Sequence, residues 1–183
     1  MPRDVKAQKM SIPKKPVIAL FDIDGTLVSV SALHDKAYRQ AFLSVANIRV
    51  KDFNEIELKF GTTEGGFMKA VLNHYKKKSS PAIIQRLIDA YTQNVVRFGR
   101  EITPKNVLPG VVNFLHYLKR KGVTLVAISG NPKKIGDLLL KRTKLNSFFT
   151  VTAFSSETFL GRSIQNRTEV LQLALLRLGW RPG

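Results

Sequence analysis

The apolar run Val17-Ile18-Ala19-Leu20-Phe21 stops at Asp22-Ile23-Asp24-Gly25-Thr26, and this junction constrains the fold more than any other stretch of the chain. A short continuous apolar run bounded by a turn is the pattern of a strand covered on both faces, as in parallel sheets flanked by helices. Strand side chains alternate between faces, so Asp22 and Asp24 leave the strand end on one side while Ile23 points elsewhere. Two carboxylates in one small space disfavour simultaneous ionisation unless a cation intervenes. The pair therefore implies either a divalent metal or one carboxyl kept protonated as an acid. Gly25 and Thr26 then turn the chain, and glycine lets backbone N–H groups approach a ligand. The plainer reading is a surface Asp-x-Asp-Gly turn, which the buried-type strand ahead of it argues against.

Two more apolar, β-branched runs, Val123 to Ile128 and Phe148 to Phe154, are predicted strands separated by a predicted helix over 132–144. Strands alternating with helices of about a dozen residues argue for a parallel α/β sheet, in which ligands gather beyond the carboxyl ends of the strands. Between the first and second strands the periodicity is helical: Leu33, Ala37, Tyr38, Ala41, Phe42 and Val45 mark one stripe. Ile56 to Phe60, Phe67 to Tyr75 and Ile83 to Phe98 are read as further helices, punctuated by Gly61, Gly65-Gly66 and Ser79-Ser80-Pro81. Pro109 and Gly110 open another helix, with Val111, Phe114, Leu115 and Leu118 on its stripe and Gly122 at its end. The expected organisation is a disordered basic tail over 1–16, an α/β core from 17–29 and 107–183, and an all-helical block over 30–106.

At 183 residues and 44% hydrophobic content the chain suits one sizeable core carrying an insertion. No cysteine is present, which excludes disulfides, thiolate metal sites and a catalytic thiol. Segment 1–16 lacks the apolar stretch of a signal peptide and no later run has the length of a membrane span, so a cytoplasmic protein without a membrane partner is the default expectation. The net charge of +17 invites a nucleic-acid reading. It is spread over the tail, Lys76-Lys77-Lys78, Lys119-Arg120-Lys121, Lys133-Lys134 and Lys141-Arg142 without interleaved aromatics. Solvated helix faces and attraction for an anionic substrate account for it better than a nucleic-acid partner.

The second predicted strand ends in Ser129-Gly130-Asn131-Pro132. Asn131 is suited to cap the next helix and Pro132 to its first turn, leaving backbone N–H groups and a positive helix terminus free to hold an anion, with the Ser129 hydroxyl as a further donor. An ordinary well-capped strand-turn-helix is the alternative. A cation at the start of the next helix would complete such a site. Arg167 opens the amphipathic run Val170, Leu171, Leu173, Ala174, Leu175 and Leu178, and Arg162 competes with it.

The octet Phe21 to Val28, with its Asp-x-Asp-Gly-Thr, resembles the nucleophile motif of the phosphatase and phosphotransferase branch of the haloacid dehalogenase superfamily. The strand ending in Ser129 resembles the second motif of that superfamily. Ala153-Phe154 followed by Arg167-Thr168-Glu169-Val170 resembles a subgroup with Arg in place of the commoner Lys. The implied fold is a three-layer, doubly wound parallel α/β sheet, Rossmann-like, with the block 30–106 as an inserted helical cap. The implied chemistry is Mg2+-dependent hydrolysis of a small phosphorylated metabolite through an aspartyl phosphate, nearest to phosphoglycolate phosphatase-like enzymes; a sugar phosphomutase would use the same residues. Asp22 would be the nucleophile, Asp24 the acid and base, Ser129 and Arg167 catalytic partners, and Asp22 and Asp24 the metal ligands. Gly25, Thr26, Ser129, Gly130 and Asn131 would bind phosphate. His34, Thr62 and Lys69 either face the substrate or solvate helices, and His34 reads first as an ordinary helical residue.

The resemblance covers roughly residues 16 to 180, and the later Gly-Asp-x-x-x-Asp element of the superfamily has no counterpart. The last core strands are thus expected to be missing. That implies weak Mg2+ binding and little hydrolysis, unless another carboxylate such as Glu157 serves, and an uncovered sheet edge along Val17 to Phe21 that favours oligomers. A truncated, catalytically impaired relative acting as a binding or partner protein is the second functional expectation.

Overall fold

A computed structural model describes residues 17–57 and 62–180. The basic segment 1–16 and the predicted Ile56 to Phe60 helix beyond Glu57 lie outside these residues, and Ile56 and Glu57 themselves are not helical.

Three parallel strands form the sheet in the order β1-β2-β3: β1 is Ile18–Asp22, β2 is Thr124–Ser129 and β3 is Val151–Phe154. The register pairs Asp22 with Ile128 and Ser129 with Phe154, so the carboxyl ends of all three strands finish within about one residue of each other. Alternation along β2 divides the core. Leu125 and Ala127 face one side with Leu115 of α4 (Val111–Arg120) and Ile135 and Leu139 of α5 (Lys133–Arg142). Val126 faces the other with Val170, Leu173 and Ala174 of α6 (Arg167–Arg177). Helices on both faces of a parallel sheet make the three-layer α/β architecture expected from the sequence.

The third strand starts later than predicted, at Val151, since Phe148 belongs to a 3-10 turn, Asn146–Phe148, ahead of it, and it ends at Phe154 as expected. Among the described residues β1 has a strand on one side only, which leaves Leu20 40% and Val17 61% exposed. Ala19 and Phe21 pack on one core cluster and Ile18 on the other, so the expected burial on both faces fails only at Val17 and Leu20.

Three helices lie between β1 and β2: α1 is Ser31–Ala46, α2 is Glu64–His74 and α3 is Pro81–Phe98. The α1 stripe holds as read, with Ala37, Ala41 and Phe42 buried and Tyr38 stacked on Tyr91 of α3 at 4.1 Å between ring centroids. Ser80 caps α3 by accepting from the Ile83 N–H, and Pro81 supplies its first position. Two sequence readings need correction. Gly65 and Gly66 do not interrupt the chain; they lie in the first turn of α2, where amides lack intrahelical partners anyway and where a Cβ on Gly66 would stand 2.9 Å from Thr62 Cγ2. A hairpin of Thr158–Phe159 (β4) and Arg162–Ser163 (β5) went unread, because two-residue strands show no alternation; Leu160 and Gly161 at φ 51° and 79° form its turn. No helix among the described residues is long and apolar enough to cross a membrane.

Glycine is structurally required where α5 crosses β3. A Cβ on Gly136 would lie 1.9 Å from Cε1 of the fully buried Phe154 ring.

Candidate active site

Asp22 is the last residue of β1, and its two carboxylate oxygens are held separately. Oδ1 accepts from the Ile23 N–H at 2.9 Å, while Oδ2 accepts from Nη1 of Arg167 at 2.9 Å. Arg167 reaches this place because Asn166 caps α6, accepting from the Glu169 N–H at 3.1 Å, and so fixes where the helix begins. The guanidinium lies against bare backbone, since a Cβ on Gly130 would be 3.1 Å from Nε. The ends of β1 and β2 and the start of α6 thus meet at one point. The side chains of Arg167 and Asp22 remain 50% and 33% exposed, so their ion pair contributes at most about 1 kcal/mol and yields to a stronger anion. Arg162 points elsewhere and makes a two-pronged pair with Glu169 at 2.8 and 3.0 Å.

Ser129 is buried at the end of β2, and its Oγ accepts from the Asn131 N–H at 3.1 Å. The loop after it is braced from β3: the Ser155 hydroxyl donates to the Gly130 carbonyl, and the Lys133 N–H donates to Ser156 Oγ at 2.9 Å. Asn131 does not cap α5, as the sequence suggested; Pro132 takes the cap position and makes no side-chain cap bond. Gly25, at φ 74°, borders the same cavity, but its N–H donates to the Val28 carbonyl at 2.9 Å rather than standing free. Thr26 is exposed and lies outside the cavity lining.

Asn131 turns instead to Asp24, and this is the arrangement sequence reading missed. Asn131 Nδ2 donates to Asp24 Oδ2, and His34 Nε2 lies 2.9 Å from Asp24 Oδ1. The Tyr91 hydroxyl is 2.6 Å from His34 Nδ1 and 3.3 Å from Asn131 Oδ1, which closes a ring of four residues. As the Nε2–H tautomer, His34 donates to Asp24 and accepts the single Tyr91 hydroxyl proton, which is then not shared with Asn131 Oδ1. A signal existed for His34, whose spacing to Ala37, Tyr38 and Ala41 puts it on the buried stripe of α1. None existed for Tyr91, an aromatic residue on an apolar stripe.

Between the strand ends and helices α1 and α2 lies a cavity of about 570 Å3. Asp24, Ser129 and Arg167 line one wall; Tyr38, Phe53, Glu64 and Phe67 line the other. Thr62 borders it, whereas Lys69 is exposed on α2. Burial raises the Glu64 carboxyl from 4.5 to about 7, against the Tyr38 hydrogen bond and His34, which lower it. An acid with a raised folded pKa stabilises the fold below its unfolded pKa and loses that contribution as pH rises through the folded one, here between about 4.5 and 7. Glu64→Gln is therefore expected to be more stable than the parent at pH 8 by on the order of 3 kcal/mol and nearly equal to it at pH 4.5, measured by denaturant titration. Equal differences at both pH values would remove burial as the cause.

Asp22 and Asp24 have the oxygen donors that a hard divalent cation takes, with water and a ligand oxygen able to fill the remaining positions. No group of three or more acidic or histidine side chains suited to a metal ion occurs among the described residues. Glu157 is engaged elsewhere, accepting from the Phe154 N–H and from Arg177, both at 2.9 Å.

Comparison with known proteins gives an independent view. The family model described as haloacid dehalogenase-like hydrolase matches residues 17–183. A plasmid-encoded phosphoglycolate phosphatase of Cupriavidus necator is 29% identical over 137 residues, covering 72% of this chain and 55% of that protein. A phosphoglycolate phosphatase of Caulobacter vibrioides is 31% identical over 139 residues, covering 70% and 53%. The chain thus spans about half the length of these curated relatives. The crystal structure of CbbY from Rhodobacter sphaeroides in complex with phosphate superposes with a TM-score of 0.70 at 23% identity, over 89% of this chain and 72% of that one, which speaks for the fold.

Proposed function

The chain belongs to the haloacid dehalogenase-like hydrolases, and from that premise we propose that it is the site-bearing part of a Mg2+-dependent phosphomonoester hydrolase acting on a small phosphorylated metabolite. The observation that carries this reading is the meeting of Asp22, Arg167 and the Ser129-Gly130 turn at the carboxyl ends of parallel strands. Residues 30–106 act in it as a cap that closes one side of the cavity. Phosphoglycolate, for which the curated relatives are named, is one ester against which others are to be compared.

In the proposed sequence the phosphoryl dianion displaces Arg167 from Asp22, and Arg167 then pairs with phosphoryl oxygens while the Ser129 hydroxyl donates to one of them. The freed Asp22 carboxylate attacks phosphorus, forming an aspartyl phosphate and breaking the ester bond. Asp24 protonates the departing oxygen and afterwards takes a proton from the water that hydrolyses the acyl phosphate. Asp24 accepts one bond on each oxygen, from His34 and from Asn131, which leaves a lone pair on each to carry the proton that it takes up from solvent and passes to the leaving oxygen. Mg2+, held by Asp22 and Asp24, would neutralise charge on the transferring group.

The test is hydrolysis of para-nitrophenyl phosphate by the 183-residue chain: slow release of para-nitrophenol that EDTA abolishes and Mg2+ restores is expected. Hydrolysis indifferent to EDTA, or none at saturating Mg2+, would remove the reading. Within it His34 is a positioning residue for Asp24. His34→Ala should lower kcat roughly tenfold, the scale of one lost charge-assisted hydrogen bond, with little change in KM. A change in KM alone would place His34 in substrate binding instead.

A further inference from the structure

Glu64 opens α2, where a carboxylate complements the helix dipole. An exposed glutamate would do this equally well, yet Glu64 is only 7% exposed and its Oε1 is fully buried with no hydrogen-bond partner among the described residues. Leaving a buried charged acceptor unpaired costs about 1–3 kcal/mol or more, so the position is unfavourable unless something arrives to fill it. Glu64 borders the cavity that also contains Asp24, Ser129 and Arg167, and its carboxyl interacts electrostatically with His34, Asp24 and Arg167. Aromatic rings flank it. Tyr38, whose hydroxyl hydrogen-bonds the carboxyl, has its ring centroid 4.7 Å from that of Phe67 and 5.7 Å from that of Phe53. Arg167 is the one Lys or Arg among the described lining residues, and it sits on the opposite wall beside Asp22.

We propose that Glu64 selects the alcohol half of the substrate: the end remote from phosphorus carries a hydrogen-bond donor, an ammonium or a hydroxyl group, and no second anion. The inference rests on the phosphomonoesterase reading, which fixes the phosphoryl group at Arg167 and so directs the rest of the ester toward α2. A donor there satisfies Oε1 with a charge-assisted bond, and an ammonium also meets the faces of aromatic rings. A carboxylate or second phosphate at the same place faces a buried like charge and finds no Lys or Arg among the described lining residues other than Arg167, which the phosphoryl group occupies. Tyr38 cannot relieve this, because the hydrogen bond it already makes to Glu64 leaves Oε1 open.

The test is calorimetric titration of the full chain with Mg2+ at pH 8, where Glu64 is ionised, against inorganic phosphate, O-phosphoethanolamine, glycerol 3-phosphate and 2-phosphoglycolate. Phosphoethanolamine or glycerol 3-phosphate is expected to bind about tenfold or more tightly than phosphoglycolate, the tighter of the two identifying ammonium or hydroxyl as the donor. In Glu64→Gln, which keeps shape and removes charge, that gap should close. Phosphoglycolate binding tightest to the parent chain overturns the inference without needing any variant to fold, and so does an unaltered ranking in Glu64→Gln. If inorganic phosphate does not bind the parent chain, the phosphate site falls and this inference with it, an outcome distinct from a wrong ranking over a working site.

Discussion

Asp22→Asn leaves the chain folded and removes its chemistry: hydrolysis of para-nitrophenyl phosphate falls by ~10^4 or more, and beryllofluoride no longer binds in the presence of Mg2+. The amide keeps the shape of the carboxylate, and its single oxygen still accepts from the Ile23 N–H while its NH2 replaces the oxygen that pairs with Arg167, so the backbone anchor at the end of β1 survives and the ion pair is lost. What it lacks is the negative oxygen that attacks phosphorus. Asp24→Asn is expected to differ in kind. The nucleophile remains, beryllofluoride still binds, and turnover drops by ~10^2–10^4, the range of lost acid–base help. Fluorine NMR of the beryllofluoride adduct separates the two. A bound adduct in Asp22→Asn would move the nucleophile elsewhere.

Gly136→Ala is the largest stability effect expected in the molecule. The added methyl would stand 1.9, 2.6 and 2.8 Å from Cε1, Cδ1 and Cζ of Phe154, a rigid ring with no accessible surface. The backbone of Phe154 is held by Glu157 and by pairing with Ser129, so the strand cannot shift to relieve the clash. Either α5 lifts off β3 or the ring leaves its rotamer, and overpacking of this severity costs about 3 kcal/mol, or roughly 10 °C in melting temperature for a chain of this size. Phe154→Leu in the same chain should recover part of that loss, giving a clear coupling in a double-mutant cycle. Additive losses, or a Gly136→Ala protein that melts with the parent, would show that α5 and β3 do not pack as described.

Local pattern carried much of the architecture. Continuous apolar runs marked all three strands to within a few residues, the α1 stripe was readable, and Arg167 was placed by the helix it begins. Tertiary competition decided the rest. Asn131 before Pro132 is a good helix cap by every local criterion, but Asp24, 107 positions away in sequence, offers its side chain a stronger acceptor. Tyr91 looks like core until His34 comes within reach of its hydroxyl. Glu64 gave no signal at all, since a glutamate in the first turn of a helix is ordinary and only burial makes it unusual. Gly65-Gly66 misled because glycine pairs usually punctuate, whereas here they lie inside a helix, where Gly66 closely approaches Thr62 and a Cβ on Gly65 would make only ordinary contact with Ile84 and Ile88.

The pairing of β1 with β2 also sets the order in which the molecule is assembled. Ile18 meets Thr124 across roughly a hundred intervening residues, while α1 and α3 meet through Tyr38 and Tyr91 across about half that span. Closure of the longer loop costs about 0.6 kcal/mol more entropy and is repaid only when β1 docks, so the helices between the strands are expected to gain structure before β1 does. Asp22 and Asp24 sit at and just beyond the end of that last strand. An incompletely folded chain is therefore expected to hold its aromatic cavity wall before Asp22 and Asp24 reach their places, which pulsed hydrogen exchange of β1 against α1 and α3 would check.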